Sequence, residues 1–515
     1  MMNKTPFNEI KTGDILLASI LIICVLVPDN YCFSSSLGVK FQILIYAIIF
    51  TLILRLNNII HFSSSGIIIC ICICALIVNC VIMFTPYRHT FNTNKDDYLF
   101  IVYSTPFFIF LISKYFRKKL KIIFITLTLI LFVYILISSN SRAFLFAFIL
   151  ETSLYVILSQ NTRIKRLSLC LFFFVFCATI SYILYKIRPA SVIGRFLIWK
   201  ICYNIISNNW LIGLGHNGFV NNYMLYQKDY LQENSLPLSI QYLVDDITTP
   251  YNEFLLLLIE HGLVVFIPVL LFVLLFTILI IKKQGRFWIL SICGICAIFI
   301  ISFFSYPFRS SITWSFLSIF LMFGLVYDDH KYDVKFRLPV RIMASAVLCF
   351  LFSIMVMISR KYYYWHKTSI SSNPIEIIAT FKELNTSFLG SNPNFLYDYA
   401  YWLYQQSSFK ECEIILEKKE SSKNYRNMMF LGEVHHQLKK YDESIECYRT
   451  ASQMIPNRFS PLFNILSIYE ELNDERLFIF ADSIISKPIK IPSKEVSYIK
   501  DYCIHILTKD LKSTQ

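Results

Sequence analysis

The chain has 515 residues, 56% of them hydrophobic and only 16% charged, with 47 Phe and a mean hydropathy of +0.55. A soluble protein of this length cannot hide that much apolar surface, and the same composition excludes disordered, collagen-like and small disulfide-bonded classes. The net charge of +14 does not point to nucleic acid: from Arg360 onward 20 Lys/Arg nearly balance 19 Asp/Glu, so the basic excess belongs to the apolar part.

A hydrocarbon core of ~30 Å needs about 20 apolar residues per helix, because unpaired backbone groups are costly in lipid. Eleven runs meet or approach that length: 15–31, 41–56, 66–84, 98–113, 120–138, 143–159, 167–187, 262–281, 287–304, 311–326 and 341–358. The first run lacks a small-residue cleavage site and is expected to be a retained helix. The connecting loops alternate in charge, with 18 Lys/Arg on one side against five (Lys40, Arg88, Lys95, Arg142 and Arg309) on the other. The positive-inside rule then puts the N-terminus in the cytoplasm and, with eleven spans, the long loop at about 188–261 and the C-terminal part outside. The expected fold is an all-α polytopic membrane bundle over 1–360 with a C-terminal helical-repeat domain over 361–515.

Most of the 15 cysteines lie inside apolar runs, as Cys70, Cys72 and Cys74 do, where they serve as small packing residues. Cys412, Cys447 and Cys503 in the tail show no metal-ligand spacing. No disulfide, metal or cofactor is expected.

After Arg360 the texture becomes amphipathic, with a period close to 34 residues. One unit carries Met428, Leu431, Gly432, Tyr441, Ser444, Tyr448, Ala451 and Pro456 at the spacings of a tetratricopeptide repeat, in which the small residues let two helices close-pack. Units before it, from about Phe395, and after it, from Phe459, align more loosely; a generic helical bundle is the alternative. Such a tail binds a protein partner or packs on its neighbour, and carries no evident chemistry.

The long loop is the informative segment. It holds Ser191-Val-Ile-Gly-Arg195-Phe-Leu-Ile-Trp199, then Leu211-Ile-Gly213-Leu-Gly215-His-Asn-Gly218-Phe219, and ends in Thr249-Pro250-Tyr251-Asn252-Glu253-Phe254 with His261-Gly262 beyond. With Ser139-Asn-Ser141-Arg142 in the preceding short loop, this order of motifs resembles the O-antigen ligase and polymerase superfamily, best over 120–330. The repeat tail is similar to that of Bacteroidetes variants. The resemblance implies a membrane glycosyltransferase of the bacterial inner membrane that needs no metal. It would move a glycan from undecaprenyl diphosphate, at the periplasmic face and with inversion at the anomeric carbon, to a lipid A core, a protein or a growing glycan. Its partners would then be the lipid-linked glycan, the acceptor and membrane lipids.

The family pattern is His, then Asn/Ser/Gln, nine residues, Gly, two residues and Gly/Thr/Tyr. Asn252, the nine-residue spacing and Gly262 fit, but Tyr251 replaces the His and Val265 the last position. A neutral phenol is a poor general base, though a good hydrogen-bond partner for a sugar or phosphate, so Tyr251 either orients or yields the proton-accepting role to a neighbour such as Glu253. Arg142 and Arg195 suit the diphosphate, because guanidinium forks bind phosphate oxygens bidentately and stay charged. An interfacial snorkelling arginine and an ordinary loop charge are their respective alternatives. Arg309, in Tyr306-Pro-Phe-Arg309, lies on the same side with weaker support. Glu260, His216 and His261 could serve as bases, yet a solvated rim or a helix end explains them as well. The Gly213/Gly215/Gly218 cluster reads as a turn that permits close backbone approach.

Two rivals have other chemistry. A glycolipid flippase or exporter would need polar residues along the spans, where Glu151 is the main candidate. A non-catalytic scaffold would recruit partners through the tail. For topology, a reporter active only in the cytoplasm and fused after Gln515 should be silent; a signal would put the tail inside and require an even number of spans.

Overall fold

The computed structural model describes residues 95–325 and 338–513, save 117, 139–140, 161, 188, 286, 371–373 and 419–420, and the fragments 11, 13–17, 19–20, 46–47, 49–51 and 66–75. Among the described residues the chain is all-helical, with no strand. The expected runs 15–31 and 41–56 and the second half of 66–84 fall largely outside them. The other eight runs coincide with helices: α1 (Lys95–Tyr115), α2 (Lys118–Ser138), α3 (Arg142–Leu158), α4 (Arg163–Ile187), the later part of α8 (Glu253–Lys283), α9 (Trp288–Phe304), α10 (Ser311–Leu325) and α11 (Leu338–Ile370). Three, Tyr98–Tyr115, Glu253–Lys283 and Leu338–Thr368, are long and apolar enough to cross a membrane by length and composition. The apolar stretches of the last two are almost wholly unburied within the protein, an extent of exposed hydrocarbon that only lipid or another protein can cover.

The chain divides into two compact units. The first comprises 1–187, 251–254 and 267–366. Its core is aromatic: Phe100, Tyr103 and Phe107 of α1 meet Phe316, Phe320 and Phe323 of α10, all fully buried. The Phe107 and Phe320 rings stack with centroids 5.5 Å apart, a favourable geometry for aromatic pairs beyond simple area burial. Helix α9 packs against α3, α10 and α1, and Gly294 explains how it approaches so closely. A Cβ there would stand 2.0 Å from Phe320 Cζ.

The second unit comprises 188–250, 255–266 and 367–515, so the long loop folds with the tail. The loop forms α5 (Pro189–Asn208), α6 (Gly218–Glu233) and the single-turn α7 (Leu238–Gln241). The tail runs α12 (Pro374–Asn385), α13 (Pro393–Gln405), α14 (Phe409–Leu416), α15 (Tyr425–Gln437), α16 (Tyr441–Met454), α17 (Ser460–Glu471), α18 (Arg476–Ser486) and α19 (Lys494–Ser513). Helices α13/α14, α15/α16 and α17/α18 pack as hairpins. In the α15/α16 pair, Gly432 lies under the Tyr448 ring, Ser444 donates its hydroxyl to the Gly432 carbonyl at 2.7 Å and Ala451 is fully buried. Specific hydrogen bonds fasten tail to loop: buried Gln227 of α6 donates to the carbonyls of Asp245 (3.2 Å) and Met454 (2.9 Å). Ser422 Oγ donates to Val220 O, Asn457 Nδ2 to Val244 O, and Arg458 pairs with Asp245.

The Gly294 contact sets an expectation. Gly294→Ala should lower the melting temperature of the purified protein, with a cost of about 1–3 kcal/mol typical of overpacking. Adding Phe320→Leu should recover part of the loss, and an unchanged melting temperature in Gly294→Ala would show that α9 and α10 do not meet this closely.

Candidate functional site

The end of the long loop is shaped by a cap. Asn252 precedes α8 and its Oδ1 accepts from the Phe254 N–H at 2.9 Å, satisfying one of the donors a helix start leaves open. Glu253 follows as the first helical residue, where a carboxylate is favoured by the dipole. Tyr251 takes a positive φ of 53°, a sparsely populated conformation for a bulky residue that persists only where its surroundings hold it.

Those surroundings, within the first unit, are the turn after α9. Residues Pro307–Arg309 form one 3₁₀ turn. Its Phe308 N–H donates to Glu253 Oε1 at 3.2 Å, and Trp314 Nε1 donates to the Phe308 carbonyl at 2.9 Å. The Tyr251 and Tyr306 rings lie 6.0 Å apart. The exposed Arg309 sets its guanidinium over the Tyr306 ring at 5.5 Å, and its charge bears on Glu253. Phe254 closes the underside against Phe299 and Phe303. Two phenols, a carboxylate and a guanidinium are thus gathered from the two ends of a long sequence separation. The set can bind an anion through Arg309, orient hydroxyls through the phenols, and offer the second oxygen of Glu253 as a proton acceptor. Tyr306 carried no sequence signal beyond its neighbour Arg309, and Arg309 itself stood out only as a cation in a short loop.

In the second unit, α8 is broken at Gly262, whose φ of 62° and ψ of −169° are not helical. The turn between α5 and α6 fills the break. Leu214 and Gly215 donate their N–H groups to the carbonyls of Ile259 (2.8 Å) and Glu260 (2.9 Å), while Leu263 and Val264 donate theirs to Trp210 (2.9 Å) and Leu211 (3.2 Å). In an unbroken helix Leu263 and Val264 would donate to Ile259 and Glu260. Each of those four groups finds its replacement in residues 210–215. The approach is close on both sides: a Cβ on Gly213 (φ 77°) would stand 2.6 Å from the Glu260 carbonyl carbon, and one on Gly262 would stand 2.2 Å from Leu211 O. The glycine of the sequence pattern is therefore a backbone requirement.

The remaining candidates are placed as follows. Arg142 opens α3 in the first unit, half-buried, just after Ser141; Ser139 and Asn140 lie outside the described residues. Arg195 is half-buried on α5 in the second unit, one turn before Trp199, whose Nε1 donates to the Pro250 carbonyl at 3.0 Å. The structure thus brings Tyr251, Asn252 and Glu253 together with Tyr306 and Arg309 in one unit. His216 is exposed in the turn, and the Glu260 carbonyl takes part in the splice of the 210–215 turn into the break of α8, with the His261 backbone nitrogen close to Gly213. Glu151 is buried in the first unit, and among the described residues neither of its carboxylate oxygens has a hydrogen-bond partner. Among the described residues, the three-donor grouping of metal-ligand type lies in the tail, at Glu413, Glu417 and His435.

Residues 127–270 match the family model Wzy_C, described as O-antigen ligase. This segment contains Arg142, Arg195, the splice and Tyr251–Glu253. No curated protein matches the chain significantly.

Gly213→Ala and Gly262→Ala should each destabilise the protein, because a positive φ alone costs a residue with a side chain on the order of 1–3 kcal/mol and both contacts add to it. Folded yield and melting temperature in detergent check this; wild-type values for Gly262→Ala would contradict the splice.

Proposed function

We propose, from the match of residues 127–270 to the O-antigen ligase family model, that the protein is a periplasm-facing inner-membrane glycosyltransferase that takes its glycan from undecaprenyl diphosphate. The observation that carries the reading is the gathering of Tyr251, Asn252 and Glu253 against Tyr306 and Arg309. The acceptor, a lipid A core, a protein or a growing glycan, presents a hydroxyl to this group. Its oxygen attacks the anomeric carbon, the bond from that carbon to the diphosphate oxygen breaks, and the configuration inverts. The departing diphosphate gains negative charge, which fixed cations stabilise without a metal ion; Arg142 and Arg195 take that part, with Arg309 as a third cation. The hydroxyl loses its proton only as the new bond forms, so a weak base suffices. Glu253, or the leaving phosphate, receives it, and Tyr251 orients the reacting groups. The C-terminal hairpins act as a tetratricopeptide-like domain on the periplasmic side, where their surface meets a protein partner.

An exporter remains the second reading, favoured by the unpartnered Glu151 carboxylate, since a buried acid of this kind marks proton or substrate pathways. Purified protein mixed with a lipid-linked oligosaccharide and acceptors separates the two: transfer supports the enzyme, movement across vesicles without transfer supports the exporter.

Arg142→Lys and Arg195→Lys keep charge but lose the planar fork. Each should slow transfer on the order of 10²-fold, as expected for one strong transition-state contact of ~2–4 kcal/mol, with folding unchanged; full activity in either would remove that residue from the site. Tyr251→Phe should lose one hydrogen bond, about 0.5–1.5 kcal/mol, and Tyr251→His should give no gain between pH 5.5 and 9. A faster His variant with a new ionisation near pH ~6.5 would make the position a general base and overturn the orienting role.

A further inference from the structure

The tail contains a side-chain cluster that the transfer reading does not use. Glu413 lies on α14 and Glu417 is the residue that ends it, one turn on; His435 comes from the last turn of α15. One donor atom from each, the imidazole Nε2 and two carboxylate oxygens, lie within 4.8 Å of one another. Nε2 of His435 is 3.1 Å from Glu413 Oε1 and 3.8 Å from Glu417 Oε1. The His435 side chain is only 6% exposed, and its Nε2, though within ion-pair distance of Glu413, makes no hydrogen bond among the described residues. A buried ring nitrogen without a hydrogen bond is costly and calls for an explanation. Here it is aimed at two carboxylates.

We propose that Glu413, Glu417 and His435 bind one divalent transition ion, Zn²⁺ by donor type, which clips α14 to α15. A neutral imidazole with two carboxylates is a donor set suited to Zn²⁺, whereas Mg²⁺ and Ca²⁺ prefer all-oxygen sites. Tetrahedral Zn²⁺ with bonds of ~2.0–2.2 Å needs donors ~3.3–3.6 Å apart; 3.1 and 3.8 Å fall on either side of that range. Nδ1 of His435 lies 3.7 Å from Cys447 Sγ. With the proton on Nδ1 and sulfur accepting, Nε2 keeps its lone pair for the ion, the arrangement by which an outer partner fixes a ligating histidine. Glu417, with its side chain 55% exposed, leaves a path for the ion and room for a water as fourth ligand. Lys440 Nζ sits 2.6 Å from Glu413 Oε1 and competes for it. Its side chain is 44% exposed, so it can swing into solvent when the ion arrives.

The clip would act where tail meets loop. The connection from α14 to α15 carries Ser422, which donates to Val220 O at 2.9 Å, and Lys423, whose N–H donates to Asn221 O at 3.2 Å. Holding its two flanking helices together reduces the freedom of that connection.

The test uses the full chain, purified in detergent without a polyhistidine tag, stripped with chelator and titrated with ZnCl₂. Calorimetry should give one Zn²⁺ per chain, the melting temperature should rise, and MgCl₂ or CaCl₂ should do neither. Glu417→Gln should keep the stripped protein's melting temperature and bind Zn²⁺ more weakly by more than the ~10–100-fold that loss of an outer partner costs. Lys440→Ala should bind at least as tightly as wild type, since it removes the competing cation. No stoichiometric binding, an equal response to Mg²⁺, or undiminished binding in Glu417→Gln would overturn the site. His435→Gln should abolish binding; Glu417→Gln carries the test if that variant fails to fold.

Discussion

A buried backbone group must be paired, and an interrupted helix leaves such groups open in the middle of the chain. At Gly262 the interruption frees two carbonyls and two N–H groups, and the turn at 210–215 pairs all four. This mutual arrangement ties the start of α8 to the turn between α5 and α6, and it works only with glycine at positions 213 and 262. Residues 259–264 of the second unit therefore take a fixed direction from backbone hydrogen bonds to the loop.

Within the first unit, Asn252 and Glu253 are held by a device of their own. The 3₁₀ turn Pro307–Arg309 gives its Phe308 N–H to Glu253 and its Phe308 carbonyl to Trp314. Arg309 then lies over Tyr306, whose ring is beside Tyr251. The aromatic core under α9 and α10 holds that turn, so hydrophobic packing and site geometry are linked through a few residues. In the second unit, Gln227 and Ser422 join loop and tail, which gives the hairpins a role in supporting the loop besides any surface they present.

Much of this was legible in the sequence, for a physical reason. Lipid imposes a length of apolar helix that few other constraints mimic, so the runs from 98 to 358 appear as helices close to where hydropathy put them. Leu338–Ile370 overshoots the expected end because Arg360–Trp365, though mixed in polarity, continues the helix. Gly213 was readable as a special backbone position and Gly262 as a place in the family pattern, but their partnership was not, since main-chain hydrogen bonds between distant segments leave no side-chain signature. Tyr306 and Arg309 were obscure for a similar reason: their chemistry comes from proximity to Tyr251 and Glu253. The Glu413/Glu417/His435 grouping escaped a search by cysteine spacing because its third donor comes from the next helix.

The central claim is that the residues joined at the start of α8 and the 306–309 turn form the transfer site of a ligase-type glycosyltransferase. Initial rates of glycan transfer from a lipid diphosphate, measured side by side for wild type and Arg309→Ala, test it most directly. Arg309 is exposed, so its truncation should leave the melting temperature unchanged. The account predicts transfer by the wild type and a loss on the order of 10²-fold in the variant. No transfer by the wild type to any acceptor class, or equal rates in the two proteins, would contradict it.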